Sequence, residues 1–323
     1  MSRIIRLAAS AALLALPSLP AVAQQDYPSR QVRIIVPFGV GGPADVFARI
    51  VAQHLSDQVK QPFVVEPRPG AGSVTGTDAA AKAPADGYTL LMMSNTHTTN
   101  ESLIPNKPFV LLRDFAGISP VNYSDLLMVV HPSVPARTVK EFLDYAKANS
   151  GKLNYASSGP GTPYHMAGEL FKAMSGTQIA HVPHKASGDA RSSIIGGHVQ
   201  MMFDAITTMA EAAKAGQVRA LASTGLARSP VTPELPTVAE SGVPGYEATI
   251  WLGLMAPKAT PEPIITRLNA EVRKVLARDD VKANWAKQGA FPMSMSPAKF
   301  EAYVKKDIEK WADVVRKTGA SVK

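Results

Sequence analysis

The sequence contains no cysteine. That excludes disulfides, thiolate metal sites, a cysteine nucleophile, iron–sulfur ligation and a lipid-modified N-terminal cysteine. Aromatic residues are few at 7% and charged residues amount to 19%, against 46% hydrophobic, with no low-complexity tract. This balance excludes disordered, collagen-like, coiled-coil and mucin-like chains and describes a globular one. Beyond residue 23 no stretch is long and apolar enough for a bilayer span of about 20 residues. Catalytic signatures are equally sparse: neither G-x-S-x-G nor H-E-x-x-H occurs. The glycine run at 70–76 puts its third glycine one position late for a dinucleotide fingerprint, and no acid follows the next strand to hold a ribose. His181 and His184 flank Pro183, which denies them a shared helix face as metal ligands. No cofactor and no metal are expected.

What is present starts with Arg3 and Arg6, a small and apolar run over 7–20 broken by Pro17 and Pro20, and Ala21-Val22-Ala23. This pattern predicts a secretory signal peptide over residues 1–23, with an uncleaved anchor as the alternative, and a soluble exported chain starting near Gln24. A bacterial periplasm fits that route. The formal net charge is +8, yet residues 24–257 hold 18 basic and 18 acidic side chains, and residues 258–323 hold 14 and 8. The excess is confined to the leader and a C-terminal tail whose Lys and Arg alternate with Glu and Asp. Solvated helix faces explain that tail, and no nucleic-acid partner is expected.

At 323 residues the chain suits two lobes or one large domain. The β-branched run 32–36 reads as a strand, followed by the glycine loop 38–44 and, after the N-cap residue Asp45, a helix carrying Val46, Phe47, Ile50, Val51 and Leu55. Strand 63–66, loop 69–73, a small-residue helix to 83 and strand 88–93 repeat the pattern. A second series has strands at 126–130, 153–156, 179–182, 201–203 and 219–222, with helices at 139–148, 164–174, 187–195 and 209–215 between them. A strand near Trp251 and helices over 264–277 and 300–316 close the chain. The alternation predicts an α/β protein of two lobes, each a mainly parallel sheet flanked by helices, the tail returning to the first lobe. The expected division is 24–123 with 248–323, and 124–247. Strand ends followed by Gly, Ser, Thr and Asn loops (38–44, 94–99, 157–162) would line the carboxyl edge, where helix N-termini favour an anion. Ordinary capping accounts for any one of these loops; a shared cleft accounts for all three.

At these loops the sequence resembles the periplasmic substrate-binding proteins of tripartite tricarboxylate transporters, the Bug family. The resemblance runs from Tyr27 to about Gly319. Its motifs include Tyr27-Pro28-Ser29-Arg30, Ile35-Val36-Pro37-Phe38, Gly41-Gly42-Pro43-Ala44-Asp45, Arg68-Pro69-Gly70-Ala71-Gly72 and Asp86-Gly87-Tyr88-Thr89-Leu90-Leu91. Further motifs are His165-Met166-Ala167-Gly168-Glu169-Leu170-Phe171, Met202-Phe203-Asp204 and Leu235-Pro236-Thr237-Val238-Ala239-Glu240. It implies a periplasmic-binding-protein-like fold closing on a small organic acid, a mono-, di- or tricarboxylate, aliphatic or aromatic. The implied partners are that acid and the membrane permease subunits of a transporter, with the binding protein itself a monomer.

Carried over by position, the implied ligand-binding residues are Phe38, Gly39, Val40, Gly41 and Gly42, then Ser94, Asn95, Thr96 and His97. The other lobe would contribute Ser158, Gly159, Gly161, Thr162, His184, Phe203, Asp204 and Ala205. Val40 stands where the family commonly has proline, and Pro183-His184-Lys185-Ala186 where it usually has Pro-Tyr-Lys-Gly. His184 would meet a second anionic group or pack at the lobe edge. Asp204 would select the ligand by its charge or cap the following helix. The non-catalytic reading has two competitors: a sensor for the same acid, and a hydrolase using Ser158 with His165.

Overall fold

The computed structural model describes residues 27–321; the expected leader, residues 1–23, lies outside them. In chain order the elements are β1 (Val32–Val36), α1 (Pro43–Val59), β2 (Phe63–Pro67), α2 (Val74–Ala81), β3 (Thr89–Ser94), α3 (Asn95–Leu103) and α4 (Leu111–Asp114). There follow β4 (Phe115–Val130), α5 (Val139–Ala148), β5 (Leu153–Ser157), α6 (Pro163–Ser175), β6 (Ile179–Pro183), α7 (Ser187–Ile195), β7 (Met201–Ala205), α8 (Ile206–Lys214) and β8 (Arg219–Ser223). The chain closes with β9 (Thr249–Pro257), α9 (Glu262–Ala277), α10 (Asp279–Lys287), β10 (Ala290–Pro292) and α11 (Pro297–Thr318).

β1 forms for the expected reason, whereas α1 starts earlier than expected, with Gly42 and not Asp45 at its N-cap. β1 is β-branched and buried at Val32, Ile34, Ile35 and Val36, as a strand covered on both faces must be. α1 opens on Pro43, whose missing N–H costs nothing in the first turn, and buries Phe47, Val51 and Leu55 at helical spacing.

The strands run in the order β2-β1-β3-β9-β4-β7-β5-β6, with β8 and β10 also pairing with β4. β1, β2 and β3 are mutually parallel, as are β5, β6 and β7. Between these two parallel groups the pairing is antiparallel, through β9 and β4. Helical alternation disclosed the outer groups, whereas the antiparallel centre involves strands distant in sequence. The 16-residue β4 belongs to both sides: its first part pairs with β9 and β10, its last with β7 and β8. Sequence patterning finds only its end, at 126–130, because Gly117 and Pro120 interrupt the rest. Register shifts at 117/119 and 120/122 absorb those residues as bulges.

The hydrophobic core divides along β4. Ile118 and Val121 pack with β1, β3, α1 and α9, whereas Leu126, Met128 and Val130 pack with α5, α6 and β7. α9, α10 and α11 return to the first side, where Phe300 lies against Trp251 and Met255. Gly253 and Gly117 let it do so, since a Cβ at either would press into the Phe300 ring. Met166 of α6 meets Trp311 and Val314 of α11 in a small cluster bridging the two sides. Among the described residues no helix is long and apolar enough to cross a membrane.

Candidate functional site

The carboxyl ends of β1, β3, β5 and β6 each lead into a helix, and the N-termini of those helices, α1, α3, α6 and α7, border one cavity of about 720 Å³. Two of the four helices are capped by their own side chains. Ser94 accepts the Thr96 N–H at 3.1 Å, and Thr162 accepts the His165 N–H. α1 and α7 start at Gly42 and Ala186 without any side-chain cap. Their free N–H groups and macrodipoles therefore act on whatever fills the space.

Charge in the wall has one sign. No Asp or Glu lines the cavity, while Lys185 and Arg191 do. Asp45 and Asp204, two acids at strand ends and helix starts, are turned away. Asp45 is buried, accepts the Gly41 N–H at 3.1 Å and pairs with Arg49 at 2.8 Å. Burial alone would raise its pKa, but Arg49 and the Gly41 N–H outweigh that and hold it below the usual value. Asp204 is 0% exposed and absent from the wall. Its carboxylate accepts Arg191 Nε–H at 2.6 Å and the Ala205 N–H at 2.8 Å. Burial pushes this carboxyl up, against the pull of Arg191. Thr96 contributes a different feature: its hydroxyl is buried in the wall with no partner among the described residues.

Of the residues expected at the site, Phe38, Gly39, Val40, Gly41, Gly42, Ser94, Thr96, Ser158, Gly159, Thr162 and His184 line this cavity. Asn95, His97, Gly161, Phe203, Asp204 and Ala205 stand behind it. Asn95 donates its amide to the Thr249 carbonyl at 2.9 Å. His97 completes the α3 cap: Nδ1 accepts the Ser94 N–H at 3.1 Å, and Nε2 lies 2.9 Å from the Thr77 hydroxyl, which donates to the Ser73 carbonyl. Its ring also meets the edge of Phe38. Complete burial pushes its pKa down to about 4, so the ring is neutral and acts as a brace. Phe203 stacks on Tyr246 in the core. Gly161, at φ +75°, donates its N–H to His165 Nδ1 at 3.1 Å.

That last bond bears on the hydrolase alternative. His165 uses one ring nitrogen on the Gly161 N–H and turns the other toward Glu169, 3.9 Å away, while its face stacks on His181. The serine bonded to a histidine is Ser157, 2.6 Å from His181 Nε2, and it too is buried behind the wall. Burial pushes His165 down to about 4 and His181 down to about 3. These groups hold the 157–162 loop in shape. Among the described residues no cluster of His, Asp and Glu is placed to hold a metal ion.

The wall also includes residues that sequence reasoning did not assign to the site: 69–73, Tyr164, Lys185, Ala186, Ser187, Gly188, Arg191, Ile250 and Leu252. The 69–73 loop had a usable signal, since it too follows a parallel strand and is rich in glycine. Arg191 had none from spacing alone, because it reaches the wall from the turn after the helix start.

Fold and cavity together define an α/β solute-binding protein of the cleft type. The chain belongs to the tripartite tricarboxylate transporter receptor family, whose model matches residues 47–320. It is 38% identical to Protein BugT of Bordetella pertussis over 94% of this chain and 93% of that one. The R. palustris protein Rpa4515, solved with adipate, superposes at a TM-score of 0.88 with 34% identity, over 92% of this chain and 99% of the other. MatC from Rhodopseudomonas palustris, with bound malate, gives 0.83 at 30% identity, covering 90% of this chain and 100% of that one.

Proposed function

We propose that this protein captures a small organic carboxylate in the cavity between its two sides and delivers it to the membrane permease subunits of a tripartite tricarboxylate-type transporter. The observation that carries the reading is the wall itself: four helix N-termini, two of them uncapped, an unpartnered Thr96 hydroxyl, and cations without an acid. The adipate and malate bound by its relatives fit the same chemistry. Binding here is read as non-catalytic, because His165, the partner that a Ser158 hydrolase would need, is buried and bonded to the Gly161 N–H, and burial pushes its pKa down to about 4. The working motion is closure of two lobes, 24–123 with 248–323 against 124–247, in an exported periplasmic monomer whose residues 1–23 are removed.

The test is a thermal-shift screen of aliphatic and aromatic acids against neutral sugars. A carboxylate at a hundredfold excess over its Kd is expected to stabilise the fold by about 2.7 kcal/mol. Shifts with sugars and none with acids would refute the anion reading.

A further inference from the structure

We propose that Arg191 anchors a second anionic group of the solute, so that the site selects acids charged at both ends. This inference rests on the carboxylate reading and narrows it. Arg191 lies four residues after Ser187, on the face by which the start of α7 meets the cavity. Its Nε–H is held by Asp204 at 2.6 Å. Asp204 is fully buried and receives the Ala205 N–H as well, so the pair presents its cation to the cavity and keeps its anion one layer behind.

Of the terminal guanidinium nitrogens, Nη2 is buried with no acceptor among the described residues. A charged donor left unpaired in a buried position is costly, and a planar guanidinium fits the two oxygens of a carboxylate. Because Asp204 already fixes the side chain, an incoming anion loses little rotamer entropy in using it. The other uncapped helix, α1, approaches from the opposite group of strands, since β1 and β6 lie on different sides of the β9–β4 centre. Anion-binding donors thus stand on both sides of the cavity, and a single carboxylate engages only one set.

Calorimetric titration with acids matched in carbon number, succinate against butyrate and adipate against hexanoate, tests this directly. Wild type is expected to bind at least one diacid more than about tenfold more tightly than its monoacid. Replacing Arg191→Met together with Asp204→Asn leaves no unpaired buried charge. That variant is expected to lose about 10- to 100-fold in diacid affinity and to keep monoacid affinity within about threefold. Arg191→Lys, which keeps the charge and loses the fork, is expected to lose part of the preference. Equal affinity of wild type for both members of each pair, or an equal loss for both in the double variant, overturns the role of Arg191 and leaves the carboxylate reading standing. Wild type that binds neither diacids nor monoacids brings down both.

Discussion

Two side chains near the cavity differ in what burial does to them. His97 is neutral because burial pushes its pKa down to about 4, whereas an unfolded chain would titrate it near about 6.5. Between those values the unfolded state binds the extra proton. The stability His97 contributes is complete above about pH 6.5 and is lost as pH falls toward about 4. Asp125 and Asp307, both pushed up to about 6 by burial, run the other way: they take up protons in the folded state first and favour it as pH falls below 6. The His97 contribution is therefore read as a difference. In urea denaturation, His97→Gln is expected to gain about 2 kcal/mol relative to wild type on going from pH 7.5 to pH 5. A constant difference would mean that the ring is not protonated on unfolding. Thr96 offers a contrasting case, with a buried hydroxyl and no partner. Thr96→Val is expected to leave the melting temperature of the empty protein nearly unchanged and to weaken carboxylate binding by about tenfold. Loss of stability without loss of affinity would place the hydroxyl in the fold and not in the site.

At the scale of elements, the start of α6 comes very close to α3 beside the cavity. Gly161 occupies φ +75°, and a Cβ there would lie 2.7 Å from the Asn100 Oδ1 and 2.9 Å from Leu103 Cδ2. Only glycine combines that backbone with that contact. Gly161→Ala is expected to cost about 2–3 kcal/mol and to weaken carboxylate binding, because α6 must move away from α3. Equilibrium unfolding and titration of the same sample check both effects, and unchanged affinity would show that the two helix starts need not stay in register. The sequence displayed this loop as a Ser-Gly-Pro-Gly turn before a helix, which was enough to place it at a strand end. It did not display Asn100, which a local reading leaves unconnected to residue 161 because the contact is made across the molecule. α3 shows the same limit in reverse: Asn95, Thr96, Thr98 and Thr99 read as a loop by propensity. The Ser94–His97 cap and burial against the sheet make them a helix.

Across the whole molecule, β4 and β9 run through the centre, and α11 reaches from the first core to Met166 of α6. Strands shared by both cores couple their stability. The protein is expected to unfold in one cooperative transition, with calorimetric and van't Hoff enthalpies agreeing. Two resolved transitions would mean that the cores are independent. Trp311, 2% exposed, packs at the bridge between the sides. Trp311→Ala is expected to destabilise the fold by about 3–5 kcal/mol, read from the urea midpoint.

By itself the sequence determined what local patterning can encode. β-branched runs marked the outer parallel strands, glycine and serine loops marked the strand ends facing the cavity, and the balance of 18 basic against 18 acidic residues over 24–257 argued against a nucleic-acid surface. Only tertiary structure decided the rest. The antiparallel joining of β9 to β3 and β4 depends on pairing between residues more than a hundred positions apart, and bulges hide most of β4 from any periodicity. It also decided which member of the Arg191–Asp204 pair faces the cavity. An acid at a strand end and an arginine one turn into a helix carry no local mark of which is buried. The packing of α7 on the sheet encloses the carboxylate and leaves the guanidinium at the wall.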